Sequence, residues 1–155
     1  MAKPGTKPKP TQLKLVNGNP GRRPLPKKEA VIDPDLYPGM PPQLKGKAKE
    51  EWIRNCDLLF DVGLMTVADR NALAAYCVAF AHWVDAEAEL EGKPLIVYSA
   101  TGNAGANPLI GIAKDAMMAM VKLGCEFGMT PSSRSRVEAN PPNVKSKEAK
   151  KAIYY

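Results

Sequence analysis

The chain contains a single histidine, His82, among 155 residues. A lone histidine in mid-helix is usually structural or exposed, no Ser-His-acid or Cys-His arrangement assembles around it in the sequence, and there is no metal-ligand spacing. Cysteine is also sparse. Cys56, Cys77 and Cys125 are odd in number and widely separated, with no Cys-x-x-Cys. The reading that follows is reduced core thiols in a cytosolic protein rather than a disulfide framework. No apolar run approaches the roughly 18 residues of a transmembrane helix. The N-terminus is basic but no apolar stretch follows it, so no signal peptide is expected. Gly102-Asn-Ala-Gly105 resembles a phosphate loop only superficially, since no Gly-Lys-Ser/Thr follows. Asp57/Asp61 and Asp85/Glu89 are i, i+4 carboxylate pairs, an arrangement expected on solvated helix faces. No cofactor or metal is implied, and an enzyme is the weakest of the function classes considered.

Acidic residues are missing from one place in particular. The first 28 residues hold Lys3, Lys7, Lys9, Lys14, Arg22, Arg23, Lys27 and Lys28 and no acid, a charge of +8. Residues 29–42 carry −3, residues 43–130 carry −3 and residues 131–155 carry +4, which gives the net +6. Ten of the 15 prolines fall at or before Pro42. A basic, proline-rich segment buries little apolar surface and is expected to stay extended. The sequence therefore divides into a basic tail over 1–42, a helical core over 43–138 and a second basic tail over 139–155. Cationic arms on a core of opposite sign point to a polyanionic partner. The competing reading, that the tails only aid solubility, stays open at this level.

Helical spacing of Trp52, Ile53, Cys56, Leu59 and Phe60 predicts a first helix from about Gly46 to Phe60, ended by Gly63. Thr66 with Asp69 three residues on predicts the start of a longer helix. The run Val67–Leu90 has no Gly or Pro, and Gly92 with Pro94 stops it. Its stripe, with Leu73, Tyr76, Phe80 and Trp83, is expected both to pack on the third helix and to contact other subunits, because a small core gains from oligomerisation and large amphipathic residues favour interfaces. Residues 95–107 combine strand formers with Gly102 and Gly105, which predicts a short β-hairpin or flap. Asn107-Pro108 opens a third helix through Ile112, Met117, Met120, Val121, Leu123 and Phe127. Thr130-Pro131 opens a short fourth one carrying Arg134 and Arg136. The fold class expected is mainly α: a helical hairpin core with a short hairpin or flap between its two central helices, closing into a ring. A helix-turn-helix is disfavoured, because the second helix is too long and too acidic at its end for a recognition helix.

Three blocks then coincide in order and spacing. Leu13-Lys-Leu-Val-Asn-Gly-Asn-Pro-Gly-Arg-Arg-Pro-Leu-Pro26 resembles the N-terminal signature of the small terminase subunits of one branch of tailed phages. Pro41-Pro-x-Leu-x-x-x-Ala-Lys-x-x-Trp52 is similar to the next block of that family. Asn107-Pro-Leu with Glu126-Phe-Gly-Met-Thr-Pro-Ser-Ser-Arg-x-Arg-Val137 is similar to its closing block. The resemblance implies a non-catalytic component of a genome-packaging motor, acting in the cytoplasm of an infected bacterium. It implies three partners: double-stranded viral DNA, the ATPase-nuclease large subunit, and further copies of the chain in a cyclic homo-oligomer, with a nonamer as the expected size. No membrane is involved. On this reading phosphate contacts come from the eight tail cations with Arg134, Arg136 and lysines of the first helix. The rival readings are a general nucleic-acid-coating protein without a motor partner and a structural adaptor whose tails bind protein.

Overall fold

The computed structural model describes residues 32–135, together with Gly18, Val137 and Ala139. Everything below concerns the compact unit that begins at Ile32.

Helix α1 spans Gly46–Asp61 and ends where Gly63 takes a φ of 75°, a left-handed value that glycine adopts without strain. A 3-10 turn, Val67–Asp69, leads into α2, Arg70–Leu90. The Asp69 carboxylate accepts from the Thr66 backbone N–H at 2.9 Å and from the Thr66 hydroxyl at 2.8 Å, so the predicted start signal is a real local lock. Two short strands follow, β1 (Ile96–Tyr98) and β2 (Ala104–Ala106). They pair antiparallel in the register Ile96↔Ala106, Val97↔Gly105 and Tyr98↔Ala104. Helix α3 spans Pro108–Glu126, with Asn107 Oδ1 accepting from the Leu109 N–H at 3.1 Å. Helix α4, Pro131–Arg134, completes the order. The expected hairpin of two helices joined by a β-flap is thus present.

Helices α2 and α3 pack along one another, and α1 packs on α2. The seam between α2 and α3 is made of small residues, with Ala79, Ala86, Ala113, Ala116 and Gly124 all buried. Small side chains let two helix backbones approach closely, but they bury little area each. The large core residues sit elsewhere. Trp52, Cys56 and Phe60 of α1, Met65, and Leu73 and Cys77 of α2 are essentially inaccessible, and Phe127 joins them just beyond α3. The core therefore lies at the end of the hairpin where α1 docks. The other end, from Glu87 to Ala106, is exposed except for the half-buried Leu90 and Val97.

Two sequence expectations need adjustment. Ile53, placed on the apolar stripe of the first helix, is 45% exposed. The buried face includes Glu51 instead, whose carboxylate accepts from Arg54 Nη1 and Asn55 Nδ2, each at 2.7 Å. The expected tail boundary at residue 42 also falls inside packed chain. Tyr37, Pro38 and Pro41 are buried, and the Tyr37 hydroxyl donates to Asp57 Oδ1 at 2.8 Å. Extended, proline-bearing chain needs no secondary structure to fill a core groove, and composition alone does not reveal this.

Candidate nucleic-acid and assembly surfaces

Eight of the expected phosphate-binding residues, Lys3 to Lys28, lie outside the described residues, and so does Arg136. Arg134 is described. It ends α4 and is exposed, on a helix whose start is fixed by Thr130: the Thr130 N–H donates to Ser133 Oγ at 3.2 Å and the Ser133 N–H donates to Thr130 Oγ1 at 3.3 Å. Gly128, at a φ of 68°, makes the tight turn that brings α4 back beside α3.

Three other cations of the described fold are held in ion pairs. Lys47 pairs with Asp85 at 2.7 Å, which ties α1 to the acidic end of α2. Arg54 pairs with the buried Glu51 at 2.7 Å. Lys93 pairs with Glu89 at 2.8 Å, and that hydrogen bond holds the Glu89 carboxyl below its ordinary range. Lys45 and Lys49 are exposed at the start of α1. Between residues 43 and 135 the sequence holds 9 bases and 11 acids, so this part of the chain does not form a cationic body. Asp85, Glu87, Glu89 and Glu91 place negative charge along the last turns of α2, where a phosphate backbone would be repelled.

The residues expected to join subunits fall in different places. Leu73 is fully buried inside the subunit, against the core made with α1, and has no surface to offer a neighbour. Tyr76, Phe80 and Trp83 are half-buried. Phe80 and Trp83 stand edge-to-face with centroids 6.1 Å apart, and Trp83 Nε1 donates to Glu87 Oε1 at 3.3 Å. The outer surface of α3, which the sequence reading did not single out, carries Ile112, Met117, Met118 and Val121 between 40% and 62% exposed. A groove of about 660 Å³ also opens beside α2 and α3, lined by residues including Leu44, Val78, His82, Ile112 and Asp115. The available signal was that α3 carries only four charges in 19 residues.

Among the described residues no group of three or more His, Cys, Asp or Glu side chains could hold a metal ion. His82 is exposed on the rim of the groove. Burial pushes the Tyr76 hydroxyl up, and the nearby Glu51 carboxylate adds to the shift. The three cysteines are free thiols. No helix of the described residues is long and apolar enough to cross a membrane.

These elements lie within a known sequence family. The family model for the phage terminase small subunit matches residues 48–143, which is most of α1 and all of the hairpin and α4. The chain belongs to the phage terminase small subunit family. No curated protein and no solved structure matches it. The family span holds Trp52, Asn107-Pro108 and the Glu126–Val137 block, whereas the Leu13–Pro26 block lies before it. Membership of the small terminase subunits ties the protein to phage genome packaging in the infected host cell.

Proposed function

We propose that this chain is the non-catalytic, DNA-engaging subunit of a viral packaging terminase. It binds viral double-stranded DNA chiefly through its basic termini, recruits and regulates an ATPase-nuclease large subunit, and acts as a cyclic homo-oligomer in the host cytoplasm. The observation that carries the DNA assignment is the separation of charge. The helical fold between residues 43 and 135 holds 9 bases and 11 acids, with Lys47, Arg54 and Lys93 in internal ion pairs, while +8 sits in residues 1–28. Phosphate contacts made by such residues position a protein without reading bases, so sequence preference is modest. Cyclic assembly multiplies the arms and turns weak contacts into avidity.

The test is a DNA titration of the full chain and of a form lacking residues 1–28, at several salt concentrations. Each phosphate neutralised contributes a log–log salt slope of about −0.9 on duplex DNA. Removal of the tail is expected to lower affinity and flatten the slope while leaving helicity unchanged. Unchanged affinity and slope would move the DNA site onto the folded body. Stimulation of the cognate large subunit's ATPase distinguishes a motor component from a general coating protein.

A further inference from the structure

The four charges of α3, Lys114, Asp115, Lys122 and Glu126, fall on one side of the helix at 3.6 residues per turn, and the Ala113, Ala116 and Gly124 face opposite them is buried. Exposed apolar side chains border this charged strip on both sides. What remains open divides into two flanks. Lys114, Met117, Met118 and Val121 recur at i, i+3, i+4 and i+7 and form a ridge whose apolar members are 40–62% exposed. Ile112, Asp115, Ala116 and Ala119 share the same spacing and form one wall of the 660 Å³ groove, with Val78 of α2 opposite. At 3.6 residues per turn the two flanks are roughly 160° apart.

The charges of the two flanks are complementary. Lys114 is the only charged residue on the ridge and Asp115 the only acid or base among the Asp, Glu, Lys and Arg side chains lining the groove. Neither belongs to an ion pair among the described residues. Five of the twelve residues lining the groove are alanine, which leaves room for long, adaptable side chains such as methionine.

We propose that the ridge of one copy seats in the groove of the next, with Met117, Met118 and Val121 against Val78 and Ile112, and Lys114 against Asp115. This rests on the cyclic assembly proposed above and specifies the surfaces that make it. Ridge and groove are different surfaces on opposite flanks, so the contact is heterologous. Each bound copy leaves one ridge and one groove free until the circle closes. The interface therefore runs through α3, in place of the α2 stripe expected from sequence.

The experiment uses Lys114→Asp, Asp115→Lys, the double exchange, and an equimolar mixture of the two single variants. Assembly is followed by native mass measurement across protein concentration, with helicity as the control for folding. Both side chains are at the surface, so the fold is expected to persist. Each single variant sets like charges against each other across the contact, and the midpoint concentration for assembly is expected to rise about tenfold or more. The double exchange restores opposite charges and is expected to recover wild-type assembly. The mixture is expected to assemble with alternating subunits and hence an even number of copies. A wild-type chain that is monomeric at micromolar concentration overturns both this inference and the cyclic assembly. A wild-type oligomer that neither single variant weakens, or that the double exchange fails to rescue, overturns the ridge-and-groove contact and leaves the assembly standing.

Discussion

The Tyr37 ring stands edge-on to Phe60, with centroids 5.0 Å apart and planes at 81°, while its hydroxyl donates to Asp57 Oδ1 at 2.8 Å. One residue upstream of α1 thus fills the core and satisfies a carboxylate on the same helix that carries Phe60. The two contributions separate by substitution. Tyr37→Phe keeps the ring and loses the hydrogen bond, at a cost of about 1–2 kcal/mol. Tyr37→Ala also empties the site, at a cost of about 3–5 kcal/mol. Urea unfolding of the two variants measures the difference. Equal losses would mean that the ring contributes nothing to the core.

The element boundaries were legible in the sequence because their causes are local. Thr66 with Asp69, Asn107 with Pro108, Thr130 with Pro131, and the left-handed glycines Gly63, Gly92 and Gly128 each act within a few residues. Burial was less legible, because it depends on which flank of a helix its neighbour takes. Ile53 and Val121 fit their apolar stripes yet face outward, whereas Tyr37, Pro38 and Pro41 belong to no periodic pattern and are buried. The seam of α2 and α3 is rich in small residues, Ala79 and Ala86 on one side and Ala113, Ala116 and Gly124 on the other, so hydropathy gave little guide to its orientation. The exposure of Met117, Met118 and Val121 was not legible for the same reason. The eight tail cations were evident from composition alone, and within the described fold Arg134, Lys45 and Lys49 are exposed.

Glycine has opposite meanings at two positions of this fold. Gly111 lies inside α3, and a Cβ added there would meet nothing within 4 Å. Gly111→Ala is expected to stabilise the protein by about 0.5–1 kcal/mol, since alanine loses less backbone freedom in a helix. Gly128 has a φ of 68°, and a Cβ there would lie 3.4 Å from Val137 Cγ2. Gly128→Ala is expected to destabilise by about 1 kcal/mol or more, from the left-handed backbone. Thermal unfolding of the pair gives shifts of opposite sign, and shifts of the same sign would contradict the assignment.

Asn107 joins the flap to α3 through three contacts. Its Oδ1 caps Leu109 N–H at 3.1 Å, its Nδ2 donates to the Pro94 carbonyl at 3.2 Å, and its N–H donates to the Leu95 carbonyl at 2.8 Å. Only the side-chain contacts are open to substitution. Asn107→Asp keeps the cap and removes the donor to Pro94. Asn107→Ala removes both and loses about 1 kcal/mol for the cap alone. The expected order of stability is wild type, then Asp, then Ala. A loss of about 1 kcal/mol corresponds to roughly 4–8 °C in a domain of 60–100 residues. An Asp variant as unstable as Ala would place the whole effect on the Pro94 contact.

The Cys77 thiol provides a test of the core that uses pH. Burial raises it from 9.0 to about 12, and the Glu51 carboxylate and Cys56 add to the shift. The folded state holds this proton where the unfolded chain has released it. Its contribution to stability is therefore complete below pH 9 and is lost progressively as pH rises from 9 toward 12. Cys77→Ala removes the group, so the stability of the variant should decline less steeply than that of wild type above pH 9. Thiol labelling supplies the second readout, because only the thiolate reacts. At about pH 8 the half-buried Cys125 is expected to label in the native protein, and Cys56 and Cys77 only after unfolding. Rapid native labelling of Cys77, or identical pH slopes for the two proteins, would mean that α1 does not seal this side of α2.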